Sequence, residues 1–234
     1  LMKVCVYAIS KNERKFVSRW YESMKEADDV VVLDTGSDDG TAEALRALGA
    51  TVETKVIAPW RFDVARNESM KLIPPDADIC VCTDLDEVFL PGWRAALEKV
   101  WRPGTQRARY RYTWSFRPDG SEGTVLWPDK IHAAQGYKWV YPVHEVLARV
   151  DGRAERAEEV AVCTEVFLHH HPDPTKSRRQ YLGLLELSAF ENPADARTQH
   201  YLGREYMFAG QWEKCIHALY KHLSMPNANW AEER

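Results

Sequence analysis

No stretch of this 234-residue sequence approaches the roughly 18 consecutive apolar residues of a membrane-spanning helix, and no signal-peptide pattern opens it. A cytoplasmic enzyme is therefore the expected setting. An excess of positive charge is missing as well. With 31 Lys and Arg against 35 Asp and Glu, the net charge of −4 provides no general basic field for duplex DNA. The five cysteines are odd in number and follow no metal-binding spacing; four of them sit inside apolar runs and read as reduced core residues. Disorder and fibrous repeats are excluded by a composition that is 45% hydrophobic and 11% aromatic.

What is present reads as one domain of average size plus a small appendage. Residues 3–9 form a β-branched run, then the polar turn SKNE, then Phe16, Val17, Trp20, Tyr21 and Met24 on one helix face. A second strand, Val30 to Leu33, ends in DTGSDDGT; Ala42, Leu45 and Leu48 mark another helix and Thr51 to Glu53 another strand. This alternation predicts a mainly parallel sheet with right-handed crossovers. A fourth strand, Ile79 to Cys82, follows Pro74-Pro75 and runs into Thr83-Asp84-Leu85-Asp86-Glu87. From about Arg107 to Leu168, short aromatic-rich segments between Gly and Pro turns predict an antiparallel or mixed second half.

From Thr175 the pattern is helical. Tyr201-Leu202-Gly203, Tyr206, Gly210, Trp212, Leu219 and Leu223, with Pro193 and Pro226 one repeat length apart, resemble a tetratricopeptide (TPR) repeat. The expected division is 1–174 and 175–234. One such unit cannot bury its face alone, so it is expected to dock on the first domain or to continue further. Residues 229–234 read as the first turn of a helix that extends beyond the sequence, and Met2 as the initiator.

Three polar clusters, SKNE, DTGSDDGT and TDLDE, fall at the carboxyl ends of strands, where open α/β sheets bind ligands. Asp84 and Asp86 flank Leu85 and would present two carboxylates to a hard divalent cation. The competing structural explanation is a helix N-cap with a second acid in its first turn. Between Arg102 and Arg117, five arginines alternate with Tyr110, Tyr112, Trp114 and Phe116. They read either as an amphipathic strand with a solvated arginine face or as a grip on phosphates or stacked rings.

In their order, AISKNE, VVVLDTGSDDGT, FDVARN, CTDLDEVF, PVHEVL and HHHPDPTKS resemble family 2 glycosyltransferases of GT-A fold, in the branch with C-terminal tetratricopeptide-like helices. The resemblance implies a Rossmann-like, mainly parallel sheet with a mixed second half and a metal-dependent, inverting transfer from a nucleotide-sugar, uridine diphosphate (UDP) being the expected nucleotide. It implies that Ile9, Asn12, Glu13 and Asp34 hold the nucleoside. Asp63, Arg66 and Asn67 would lie beside the diphosphate and sugar, with a surface salt bridge the structural alternative for Arg66. Asp84 and Asp86 would bind manganese or magnesium. A late histidine would join them, and since alternation puts His169 and His171 on one face, either is a candidate. The candidate general base is Glu145, with His144 orienting the acceptor; pairing of Glu145 with Arg149 is the structural alternative, and Glu87 the reserve.

The expected acceptor is a polypeptide or saccharide, with a homo-oligomer through the helical tail a further possibility. A modified nucleic-acid base held by the arginine-aromatic strand is the second reading. A non-catalytic repeat adaptor with a degenerate transferase domain is the third. Nucleotidyltransfer is a fourth, weakened because AISKNE lacks the glycine of a phosphate loop.

Overall fold

The computed structural model describes residues 2–150, 158–177 and 179–228; the helix expected at 229–234 and the expected initiator's neighbour at residue 1 lie outside them. The chain opens with β1 (Val4–Ser10), α1 (Val17–Met24), β2 (Asp29–Asp34), α2 (Thr41–Leu48) and β3 (Thr51–Thr54). This is the alternation the apolar spacing predicts. β1 pairs in parallel with β2, and β2 with β3. Next come α3 (Phe62–Met70), whose weak periodicity gave no signal in the sequence, and β4 (Ile79–Cys82), which lies parallel to β1 on its other side.

Past β4 the chain forms β5 (Glu87–Phe89), α4 (Trp93–Val100), β6 (Arg107–Thr113), β7 (Val125–Leu126), β8 (Ile131–Ala133), β9 (Tyr137–Val140), β10 (Val146–Arg149) and β11 (Val160–His170). Among the described residues the main sheet runs β3-β2-β1-β4-β8-β6-β11-β5, with β7 paired to β6, while β9 and β10 form a separate ribbon. β8 is antiparallel to β4 and β6, β11 is parallel to β6, and β5 is antiparallel to β11. The second half is thus mixed, and the fold is mixed α/β. Because β5 follows Asp86 directly, the explanation of the acid pair as a helix N-cap is ruled out.

β1 is buried on both faces, as a central strand requires. Val4, Val6 and Ala8 pack with Trp20, Leu45, Val81 and Phe89, while Cys5 and Tyr7 pack on the opposite side with Cys80, Cys82 and Trp139. All five cysteines are buried and reduced. Each large apolar side chain buried in this way contributes about 1.5–3 kcal/mol.

The chain divides into two compact units, one of Leu1–Trp60, Val64–Trp139 and Leu147–Pro174, the other of Arg61–Asp63, Val140–Val146 and Thr175–Arg234. The second contains α5 (Arg179–Glu191), α6 (Ala196–Phe208) and α7 (Trp212–Ser224). Asp195 caps α6, its carboxylate accepting from the Thr198 amide at 2.8 Å. A β-carbon on Gly203 would lie 2.6 Å from Leu219, so the close approach of α6 and α7 requires glycine there. Trp212, Ile216, Tyr220 and Leu223 form an exposed stripe along α7.

Candidate functional site

The loops after β1 and β2 are stitched together by their own polar groups. Asp34 is fully buried; its carboxylate accepts from the Ser10 hydroxyl (3.0 Å), the Gly36 and Ser37 amides (3.1 and 2.9 Å) and the Ser37 hydroxyl (2.5 Å). Four hydrogen bonds fill a carboxylate, so in this structure Asp34 shapes the loop. Asn12, at φ 53°, accepts from the Asp38 amide (2.9 Å) through its side chain and donates its backbone N–H to Ser37 Oγ (2.9 Å). The Glu13 amide donates to Thr41 Oγ1 (2.9 Å), and the Glu13 side chain is buried. Ile9 is buried at the end of β1.

The end of β4 is built from charges drawn from distant parts of the chain. Arg66, on α3, is only 4% exposed; it donates to Asp84 Oδ1 at 2.9 Å and lies 5.2 Å from the Trp139 ring centre. A surface salt bridge is therefore the wrong description of Arg66. Lys130, just before β8, reaches Asp84 Oδ2 at 3.4 Å and Glu87 Oε1 at 3.5 Å. Glu87 is buried, accepts from the Asp84 amide (2.9 Å) and the Tyr112 hydroxyl (2.9 Å) and so turns inward. Burial alone would raise the Asp84 pKa, but Arg66 and Lys130 outweigh it and hold the carboxyl well below the usual range. For Glu87 burial dominates and raises the pKa. Lys130 and Glu87 took no part in the sequence-based donor site, because their partnership depends on strand order. Asn67 fixes Trp139 from both sides, with Nδ2 donating to its carbonyl and Oδ1 accepting from its amide, each at 2.8 Å.

Asp86 has a different neighbour. His170 Nε2 lies 3.5 Å from Asp86 Oδ2, and the His171 amide donates to the Asp86 carbonyl at 2.8 Å. His170 Nδ1 pairs with the Trp114 carbonyl at 3.1 Å, and the Trp114 ring stacks on the imidazole at 4.3 Å and 22°. Burial lowers the His170 pKa, but Asp86 and the Trp114 carbonyl raise it further, leaving it above the ordinary value. His169 and His171 do share a face, as alternation requires, but that face is filled by Phe116, at 5.0 and 5.6 Å respectively. The histidine on Asp86 is the middle one. Its signal, a long strand carried as far as His170, was hidden in a run of three identical residues. Among the described residues no group of three or more His, Cys, Asp or Glu is assembled to hold a metal.

Asp63, His144 and Glu145 belong to the second unit. Asp63 pairs with Arg61 (2.9 Å), which also pairs with Glu191 (2.6 Å). His144, at φ 51°, stacks on Tyr201 (4.1 Å, 16°), and its carbonyl accepts from Arg197 (2.8 Å). Arg149, the structural alternative for Glu145, is buried and reaches Glu158 at 3.8 Å. The arginine strand does not present one solvated face: Arg107 is buried against Glu158 (2.9 Å), Arg111 pairs with Glu122, and Arg109 is exposed.

No family model matches the chain, and no curated protein matches it. Among solved structures it is similar to glucosyl-3-phosphoglycerate synthase from Mycobacterium tuberculosis. In the complex of that protein with Mn2+, UDP and glucosyl-3-phosphoglycerate, identity is 23% over 47% of this chain and 44% of the other, with a TM-score of 0.41. For its complex with Mn2+ and UDP-glucose the identity and coverage are the same and the TM-score is 0.40. The match thus spans less than half the length of that protein, and the chemistry is read from the residues of this chain alone.

Among the described residues no helix is long and apolar enough to cross a membrane.

Proposed function

We propose that this chain is a glycosyltransferase of GT-A fold and family 2 type, moving a sugar from a UDP-sugar to a saccharide or polypeptide acceptor with inversion. The observation that carries the reading is the Asp86–His170 pair, on the turn between β4 and β5 and at the end of β11. Manganese or magnesium fits this pair. The Nδ1 contact with the Trp114 carbonyl leaves Nε2 turned to Asp86, so His170 and Asp86 are the residues that would hold the ion. When bound, such an ion neutralises the charge that develops on the leaving diphosphate.

The chain's own residues supply the rest of the proposed chemistry. Asp86 and His170 would hold that ion. Arg66, buried and braced on Trp139, adds a fixed positive charge beside the donor diphosphate. Asn67 holds Trp139 under that guanidinium, Asp84 and Lys130 complete the charge balance, and the loops bearing Ile9, Asn12 and Glu13, shaped by Asp34, receive the nucleoside. Asp63 braces Arg61 at the start of α3. Glu145 accepts the acceptor's proton as the new bond to the anomeric carbon forms and the diphosphate leaves, with His144 orienting the acceptor. The helical unit is read as a tetratricopeptide-type support for the acceptor, and the compartment as the cytoplasm.

The test is the thermal stability of wild type, Asp86→Ala and His170→Ala with a panel of nucleotide-sugars, with and without manganese. A manganese-dependent rise in Tm with the UDP series, lost in both variants, is expected. Absence of any rise in the wild type with every donor sinks the reading.

A further inference from the structure

Trp114 is far more exposed than its anchoring requires. It follows β6 directly, its amide donates to the Thr124 carbonyl at 2.9 Å, and its own carbonyl accepts from His170. One face of the indole covers the His170 imidazole, and Tyr112 meets the ring at 6.0 Å and 67°. The side chain nevertheless remains 46% exposed. A planar ring has two faces, and the stack on His170 uses one of them. The remaining surface is rigid, apolar and set beside the one carboxylate–imidazole pair of the candidate centre. Leaving an indole in water forgoes the stabilisation its burial would bring.

We infer that the open face of Trp114 is a stacking platform for the pyranose ring of a saccharide. A pyranose presents a patch of C–H groups on one face and hydroxyls around its rim, so it matches a flat apolar surface inside a polar frame. The polar groups beside the indole are the His170 imidazole that it covers and the Asp86 carboxylate 3.5 Å from that imidazole. Both backbone groups of Trp114 are engaged, so the platform is fixed before any ligand arrives and little entropy is lost on stacking. The inference rests on the transferase reading for its place beside Asp86 and His170, and the ring is either the sugar of the donor or that of the acceptor.

The experiment compares wild type, Trp114→Ala and Trp114→Phe. UDP and UDP-glucose binding are followed calorimetrically with manganese present, and methyl α- and β-D-glucopyranoside binding by saturation-transfer NMR. Expected for Trp114→Ala is UDP affinity within about twofold of wild type, with a loss of about tenfold for UDP-glucose or for the glucosides, most of it restored by phenylalanine. A selective loss for UDP-glucose assigns the ring to the donor; a loss confined to the glucosides assigns it to the acceptor. Equal losses for UDP and UDP-glucose overturn the inference, because Trp114 then serves the base or merely steadies His170. Unchanged binding of every probe overturns it too. If wild type binds neither nucleotide, the transferase reading fails and the glucosides alone decide: a signal that disappears in Trp114→Ala upholds the platform, and no signal in wild type removes it.

Discussion

Two buried polar networks meet the same short stretch of chain and solve burial in opposite ways. At Lys130 the network is charged: two carboxylates, Asp84 and Glu87, are balanced by Lys130 and Arg66. Two residues later, at His132, it is neutral: the Trp139 indole donates to the Tyr7 hydroxyl at 3.0 Å, Tyr7 meets His132 Nε2 at 2.8 Å, and His132 Nδ1 meets the Ala133 carbonyl at 2.8 Å. Assigning the proton to Nδ1 satisfies every contact in that chain. The neutral network lies wholly within the core and ties β9, β1 and β8 together. The charged network sits at the strand ends, where side chains keep some access to solvent. Burying charge is tolerable only where the opposite charge is matched to it, so the charged network is the more fragile of the two.

Breaking the charge balance is expected to have the largest effect. Lys130→Met leaves Asp84 with one cation and Glu87 with none, and should cost about 3–4 kcal/mol of stability by urea denaturation. Adding Glu87→Gln to that variant removes the stranded carboxylate and should recover part of the loss. A double variant no more stable than Lys130→Met would show that Lys130 acts through packing of its aliphatic stem.

The neutral network is broken by acid. Burial lowers the His132 pKa to about 4. The folded state therefore binds the proton less readily than the unfolded chain, whose histidine titrates near 6.5. The stability this provides is complete above about pH 6.5 and is lost as pH falls towards about 4, for a total of about 3 kcal/mol. His132→Gln should flatten that part of the stability–pH curve while leaving the acid limb due to carboxylates. Parallel curves for the two proteins between pH 7 and pH 4 would remove His132 as the cause.

These networks also mark what the sequence could reveal. Strands β1 to β4 and helices α1 and α2 follow from short-range periodicity, and the loops at their ends were legible because Asp, Ser, Asn and Gly bond within a few residues of themselves. Asp34 illustrates the limit: its type and position announce a strand-end acid, yet its four hydrogen bonds show it saturated by Ser10, Gly36 and Ser37. Lys130, Glu87 and His170 gain their partners through sheet order. β8 between β4 and β6 delivers Lys130, and the antiparallel contact of β5 with β11 sets His170 opposite Glu87 in register and so brings it to Asp86. No local pattern encodes such adjacency. The choice among three consecutive histidines turned on the reach of β11, which only its pairing defines.

The two acids that sequence reasoning placed at strand ends, Asp34 for the nucleoside and Asp86 for the metal, give the smaller effects and the sharper contrast. Asp34→Ala orphans two part-buried amides and two hydroxyls and should cost about 2 kcal/mol. Asp86 is part-exposed and meets one histidine, so Asp86→Ala should change stability by less than about 1 kcal/mol in the absence of ligands. The difference is in what else is lost. Asp34→Ala, assayed below its lowered Tm, should lose stability and weaken the response to a UDP-sugar together, whereas Asp86→Ala should keep its Tm and lose the response. Chemical denaturation of both variants, followed by the same ligand titration, separates them. If Asp86→Ala proves as damaging to stability as Asp34→Ala, then Asp86 is a brace for β11 through His170, and the pair that carries the functional proposal is structural.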